Sequence, residues 1–351
     1  NRDPELIPEI YILERGDLGK NVERVNAGVP KVLANNYNFQ ESSVPLVLQR
    51  SRSKLALWLS QPDHPLTARV MVNRLWQWHF GTGLVSTPND FGQMGQKPTH
   101  PKLLDWLATE FVATGWSLKS MHRLIMLSKT YQRTSRYSNP KNLTVDPANL
   151  YWWRMKRKRL EAEALWDSIH SVAGTLTLEI GGRSFCPPVE GQAGKNWVKI
   201  PVELENSDLN RRAIYIMVQR NFGFPMFETF DTPDPAVSCS VREVTTVPPQ
   251  ALFFMNNKMI VGQAKEFAQR LVRENGDNPD AWIRKAWRLA LGRDPNQLEK
   301  LEAMNLLKSL TQGELGVNKT HSLAQMGVAR SEALSQLCLA IFNLSEFSYV
   351  D

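Results

Sequence analysis

The chain has 351 residues, 42% of them hydrophobic, and 42 Lys and Arg against 35 Asp and Glu give a formal net charge of +7. That length can bury a substantial core, but the basic excess is modest and falls short of the concentrated stripe of a nucleic-acid binder, so nucleic acid is not an expected partner. No apolar run reaches the roughly eighteen residues of a membrane span, and Cys186, Cys239 and Cys338 form neither a CxxC pair nor the CxxCH signature of covalent haem attachment.

In chain order, residues 1–44 carry Pro4, Pro8, Gly16, Gly19, Gly28 and Pro30 with little sustained periodicity. They read as an extended linker or N-terminal extension, with Tyr11-Ile12-Leu13 as a short strand. Residues 45–351 read as a single helical domain. Lys54 to Leu59 and Leu66 to Phe80 are helical stretches separated by the stop Pro62-Asp63-His64-Pro65, and Gly81 ends the second. Leu103, Leu104, Leu107 and Phe111 mark the next helix, stopped at Gly115, and Ser117 is placed to cap the one after it. Asp146-Pro147 opens a further helical stretch, expected to run through Ile169. The helical subregion 45–178 gives way to an irregular insert over 179–256, rich in Gly, Pro and polar residues, whose one β-like run is Ala213 to Val218. Helical periodicity returns over 257–351, in four segments from Lys258, Asp280, Pro295 and Ser322. The predicted fold class is mainly α: a multi-helix bundle with long irregular loops and minor short strands.

Two regions hold side chains suited to chemistry. On the second helix Arg69, Asn73 and Trp76 share one face, with Arg74 a quarter-turn away. Arg supplies a planar donor fork and Trp a stacking surface, so this face can take a carboxylate, sulfate or sugar, or can tie the helix to a neighbouring loop. His79, His100 and His122 lack metal-ligand spacing, so no metal site is expected. Asp90-Phe91-Gly92 shares three letters with the magnesium-binding turn of protein kinases, but nothing else of that set is present, and a turn with Asp90 accepting backbone hydrogen bonds is the expectation. The second region is the Pro-stiffened stretch from Phe230 to Gln250, with Asp231, Asp234 and Arg242. Two acids near an Arg could bind a metal or a polyol, or act as acid and base on a glycosidic bond, and could equally form a salt-bridged loop. A composite pocket would need this loop against the Arg69 to Asp90 region. Glu161 and Glu163, two apart on an expected helix, point in different directions. The basic run Arg154 to Arg159 reads as a solvated helix face, with an acidic polysaccharide as the alternative.

The clusters Asn73-Arg74-Leu75-Trp76-Gln77-Trp78-His79-Phe80-Gly81, Arg157-Lys158-Arg159-Leu160-Glu161-Ala162-Glu163, Phe230-Asp231-Thr232-Pro233-Asp234, Pro249-Gln250-Ala251-Leu252, Leu289-Ala290-Leu291-Gly292-Arg293 and Asn343-Leu344-Ser345-Glu346-Phe347 occur in one order along the chain. In this the chain resembles the C-terminal domain of large planctomycete cytochrome-associated proteins, a family of unknown function. The resemblance implies a periplasmic or extracellular module with a cytochrome-like haem domain upstream. Any haem would then lie on that domain or on a partner, and this chain needs no cofactor of its own. It also implies other protein domains or subunits, a c-type cytochrome or an acidic polysaccharide as partners. The leading expectation is a non-catalytic assembly or ligand-binding module linked to polysaccharide use. The alternatives are an enzyme acting on acidic or sulfated glycans, centred on Asp231, Asp234 and Arg242, and a docking partner of a cytochrome in electron transfer. An open cleft around those residues favours the enzyme, and closed salt bridges favour the module.

Overall fold

A computed structural model describes residues 9–33, 51–188, 208–220, 223–315 and 322–350. They gather into two compact units, Asn1–Arg133 with Pro140–Trp153 and Thr134–Asn139 with Arg154–Asp351. Among the described residues there are thirteen helices and two small two-stranded sheets, so the fold is mainly α with minor strands.

In the first unit β1 (Ile10–Leu13) pairs antiparallel with β2 (Asn21–Val25), which gives the expected strand at Tyr11 a partner inside the supposed linker. Then follow α1 (Ser51–Leu59), α2 (Thr67–Phe80), α3 (Pro101–Ala113), α4 (Leu118–Met126) and α5 (Pro140–Val145). The start of α2 is set by buried His64, whose Nδ1 accepts the backbone N–H groups of Leu66 at 3.3 Å and Thr67 at 3.1 Å. That role requires a neutral ring, and burial lowers the pKa of His64 accordingly. Gly81 ends the helix in the left-handed conformation, φ +82°. Val72, Leu75, Trp76 and Phe80 of α2 form the core with Leu104, Leu107 and Phe111 of α3 and Met121 and Ile125 of α4. Trp76 stacks on Phe80 at 4.3 Å between ring centroids. Trp116 and Leu124, which share the same apolar pattern, are only half-buried.

Ser117 caps α4 as expected, its hydroxyl accepting the N–H of Ser120 at 3.3 Å. Ser117→Ala is expected to cost about 1 kcal/mol, the usual loss for a serine N-cap. Chemical denaturation should show a lower midpoint with an unchanged slope; an unchanged midpoint would mean that the cap contributes nothing.

The second unit opens with β3 (Lys158–Arg159), paired antiparallel with the C-terminal β4 (Tyr349–Val350). Between them lie α6 (Ala162–Ala173), α7 (Pro225–Thr229), α8 (Pro248–Asn256), α9 (Lys258–Asn275), α10 (Pro279–Leu291), α11 (Gln297–Leu315), α12 (Leu323–Phe342) and α13 (Ser345–Ser348). α9 is central, packing against both α6 and α12. Trp166, Phe267 and Phe342 are among the largest fully buried side chains.

Three expectations are corrected here. The stretch from Asp146 to Ile169 is helical only from Ala162, because Asn149 and Trp152 take positive φ, at 53° and 55°, and interrupt any helix. The run Ala213 to Val218 contains a 3-10 turn, Ala213–Tyr215, and isolated bridges join Phe185 to Ile216 and Thr177 to Arg211. Its buried residues, Ala213 and Ile216, are three apart rather than alternating. The insert 179–256 is not irregular throughout: Pro248 and Pro249 open α8, since proline in a first helical turn forfeits no intrahelical hydrogen bond. Much of the expected loop over 179–210, and the residues joining the supposed linker to α1, lie outside the described residues.

Candidate functional site

Asp231 sits just after α7 with φ +61°, a left-handed conformation that aspartate tolerates better than most residues. Its carboxylate is closed in by three donors. Oδ2 accepts from Arg159 Nη2 at 2.6 Å and from the Thr245 backbone N–H at 2.8 Å, and Oδ1 accepts from the Thr245 hydroxyl at 2.8 Å. The side chains of Arg159 and Asp231 are only 4% and 16% exposed. Burial pushes the Asp231 pKa up, but the bonds from Thr245 and Arg159 outweigh it and the carboxyl is held below its ordinary range. Arg159 also donates to the Phe230 carbonyl at 3.3 Å, and its guanidinium lies 5.3 Å from the centroid of the Phe230 ring. Gln250, buried at the start of α8, donates to the Thr229 carbonyl at 3.1 Å and to the Thr245 carbonyl at 3.3 Å.

Arg242 completes the cluster. Its fork donates to both carboxylate oxygens of Glu163, at 2.7 and 3.0 Å, and lies 3.3 Å from Glu161. The expectation that Glu161 and Glu163 diverge is therefore wrong, because Glu161 is the extended residue before α6, with φ −70° and ψ 156°, and helical angles do not apply to it. Asp234 stands apart. It is exposed and folds its own turn, Oδ1 accepting the N–H of Ala236 at 2.8 Å.

The elements thus bring together Asp231, Arg242 and Gln250 from the predicted site residues with Thr245 of the same loop and with Arg159, Glu161 and Glu163, which were not among the predicted site residues. The signal for Arg159, Glu161 and Glu163 was the run Arg159-Leu160-Glu161-Ala162-Glu163. Arg159 is in β3, not on the solvated helix face expected for the basic run. A general acid needs a raised pKa and an accessible proton. Asp231 has a lowered one and both oxygens engaged.

In the first unit, the predicted face of α2 reaches several separate partners. Arg69 donates to Asp105 at 2.7 Å and to the Pro65 carbonyl at 2.7 Å, and Arg74 donates to Asn89 at 2.8 Å. Asn73, fully buried, grips the backbone of Val85 in both directions, accepting its N–H at 2.8 Å and donating to its carbonyl at 3.0 Å. Gly83 is required there, since a Cβ would lie 2.7 Å from the Asn73 amide and 2.6 Å from the Val85 carbonyl. Trp76 is core. His79 Nε2 and His122 Nδ1 are 2.8 Å apart, and Tyr131 packs edge-on against His79. Asp90 accepts the Gly92 N–H at 2.9 Å, the expected turn. His100 is the residue before α3, 3.0 Å from the Thr99 hydroxyl and edge-on to Tyr151.

Asp231 and Arg242 have partners inside their own unit, as do Arg69 and Asn73 inside theirs. Among the described residues no group of three or more His, Cys, Asp or Glu side chains is placed to hold a metal ion, and no helix is long and apolar enough to cross a membrane.

A second tie carries the remaining clusters of the second unit. Arg293, just after α10, donates to Glu299 at 2.6 and 2.8 Å and to Glu346 at 2.7 Å. The Arg293 fork holds Glu299 at a pKa of about 2. No curated protein and no solved structure matches this chain. A family model does, over residues 51–307: PSD1, described as a protein of unknown function, DUF1553. The match spans more than half of the chain and takes in Asn73, Arg159, Asp231 and Arg293, the residues around which these ties are built, so the chain belongs to the PSD1 (DUF1553) family.

Proposed function

We propose that this chain is a non-catalytic assembly or ligand-binding module. Within that reading it is part of an exported, planctomycete-type, cytochrome-associated protein linked to polysaccharide use, with any haem on an upstream domain or partner. The observation that carries the non-catalytic reading is the closed contact among Arg159, Asp231 and Thr245. A carboxylate that accepts from a buried guanidinium and from a backbone N–H is an element of architecture, because moving a proton at that atom would uncover the buried Arg159 charge. The wider context rests on the resemblance of the residue clusters to cytochrome-associated relatives.

Incubation of the purified chain with sulfated and carboxylated oligosaccharides tests this. Retention of the saccharide on the protein with no change in its length, followed by size-exclusion chromatography, is the expected result. Shorter fragments or released sulfate in proportion to added protein would replace the module reading with the glycan-directed enzyme.

A further inference from the structure

We propose that the open cavity of the second unit bounded by α6, the end of α10 and the C-terminal β4 is a binding site for an uncharged, polyhydroxylated ligand of the saccharide class. This rests on the reading of the chain as a binding module and supplies the chemical class of its ligand. The cavity has a volume of about 670 Å³, and small-molecule sites run from roughly 300 to 1,000 Å³. Three of the ordered residue clusters meet at its walls, through Leu160, through Leu289 to Leu291, and through Glu346 with Phe347.

One wall is polar. Asp167, Ser168 and Ser171 line the cavity from the stripe of α6 turned away from its buried Leu165, Trp166 and Ile169. Ser168 and Ser171 are one turn apart, and neither hydroxyl has a hydrogen-bond partner among the described residues. A hydroxyl offers one donor and two acceptor positions, so this pair can exchange hydrogen bonds with the hydroxyls of a ligand. The two carboxylates of the lining are already balanced. Asp167 accepts from Arg212 Nε at 3.0 Å and from the Ala213 N–H at 2.7 Å, and both oxygens of Glu346 accept from the Arg293 fork at 2.7 Å. A carboxylate has about four lone-pair positions, so each can accept a further bond, while neither leaves a charge for a ligand to neutralise. The remaining lining is largely apolar, with Leu160, Leu176, Leu289, Leu291 and Val350. A sugar ring has the matching surfaces, since its C–H faces can cover apolar wall while its rim of hydroxyls meets the serines. The C-terminal wall is held in place, the Leu160 N–H donating to the Ser348 carbonyl at 2.8 Å and the Tyr349 hydroxyl lying 3.1 Å from that of Thr246. A wall already fixed lowers the ordering cost of binding.

The test is calorimetric titration of the full chain with a panel of neutral disaccharides: cellobiose, maltose, laminaribiose, mannobiose, xylobiose and diacetylchitobiose. Saturable binding of at least one is expected. Ser168→Ala with Ser171→Ala should weaken it about ten-fold, the combined loss of two neutral hydrogen bonds. Ser171→Phe, at an exposed position where a larger side chain leaves the core untouched, should fill the cavity and abolish binding. Ser331→Ala, at an exposed position of α12 away from the lining, should leave binding unchanged. No binding of any member of the panel, an unaltered affinity in either cavity variant, or an equal loss in the control would overturn the site. Retention of acidic oligosaccharides in that case would leave the module reading standing without it. Release of monosaccharide, with serine-dependent binding intact, would overturn the non-catalytic reading and leave the site standing.

Discussion

Asp231→Ala is expected to destabilise the second unit by about 3–5 kcal/mol, the range for removing one partner of a buried ion pair. The loss has two parts. Arg159, with its side chain only 4% exposed, would keep its charge with no carboxylate beside it. Alanine would also have to occupy φ +61°, which aspartate tolerates better. Asp231→Asn separates these, because asparagine accepts positive φ and can keep the Thr245 contacts while losing the charge, so its effect should be intermediate. Arg159→Met should cost less than Asp231→Ala. Arg159 Nε and Nη1 are buried without an acceptor among the described residues, so removing the guanidinium also removes an existing penalty. The double variant Arg159→Met with Asp231→Asn should then be more stable than the sum of the single changes predicts. Equilibrium unfolding of all four proteins measures this, and strict additivity would mean that the pair is not coupled.

His170 is expected to make the second unit acid-sensitive between about pH 6.5 and 4. It is buried on α6 against Trp166, with ring centroids 4.5 Å apart, and its Nδ1 lies 3.1 Å from the Thr175 hydroxyl. Burial lowers its pKa from 6.5 to about 4. The unfolded chain therefore binds this proton more readily than the folded one, so the neutral ring's contribution is complete above pH 6.5 and is lost as pH falls toward 4. A shift of that size corresponds to roughly 3 kcal/mol. His170→Phe keeps the ring and removes the titration. Thr175 does not become an orphan, since its hydroxyl also donates to Gln263 at 2.7 Å. Unfolding free energies at pH 7 and pH 4 should differ less in the variant by about that amount; the same pH dependence in both proteins would show that the fold does not suppress protonation of His170. His64, also lowered by burial, adds to the loss in both and cancels in the comparison.

Local patterns of residues settled much of this protein. Apolar spacing placed α2, α3, α4, α9, α10 and α12, because each buries one stripe against its neighbours and the stripe is written at helical period. Gly81 and Ser117 marked ends through their own backbone and hydroxyl chemistry, which needs no distant partner. Patterns failed where a local rule was overridden. Trp152 takes positive φ and packs beside Trp76 and Phe80, and Glu161 leaves helical geometry one residue before α6.

What tertiary structure alone decided is the chemical meaning of the charged residues. Asp231 read as a candidate acid because an aspartate beside arginine on a stiff loop is ambiguous in sequence. Its role depends on Arg159, 72 positions away, and on Thr245, 14 positions away. Glu163 and Arg242 are 79 positions apart and Arg293 and Glu346 are 53. Periodicity carries information over a few residues because it reflects one element's own geometry, whereas a charge is defined by whatever the fold sets against it. Burial at such a contact turns an ionisable group from a reagent into a tie.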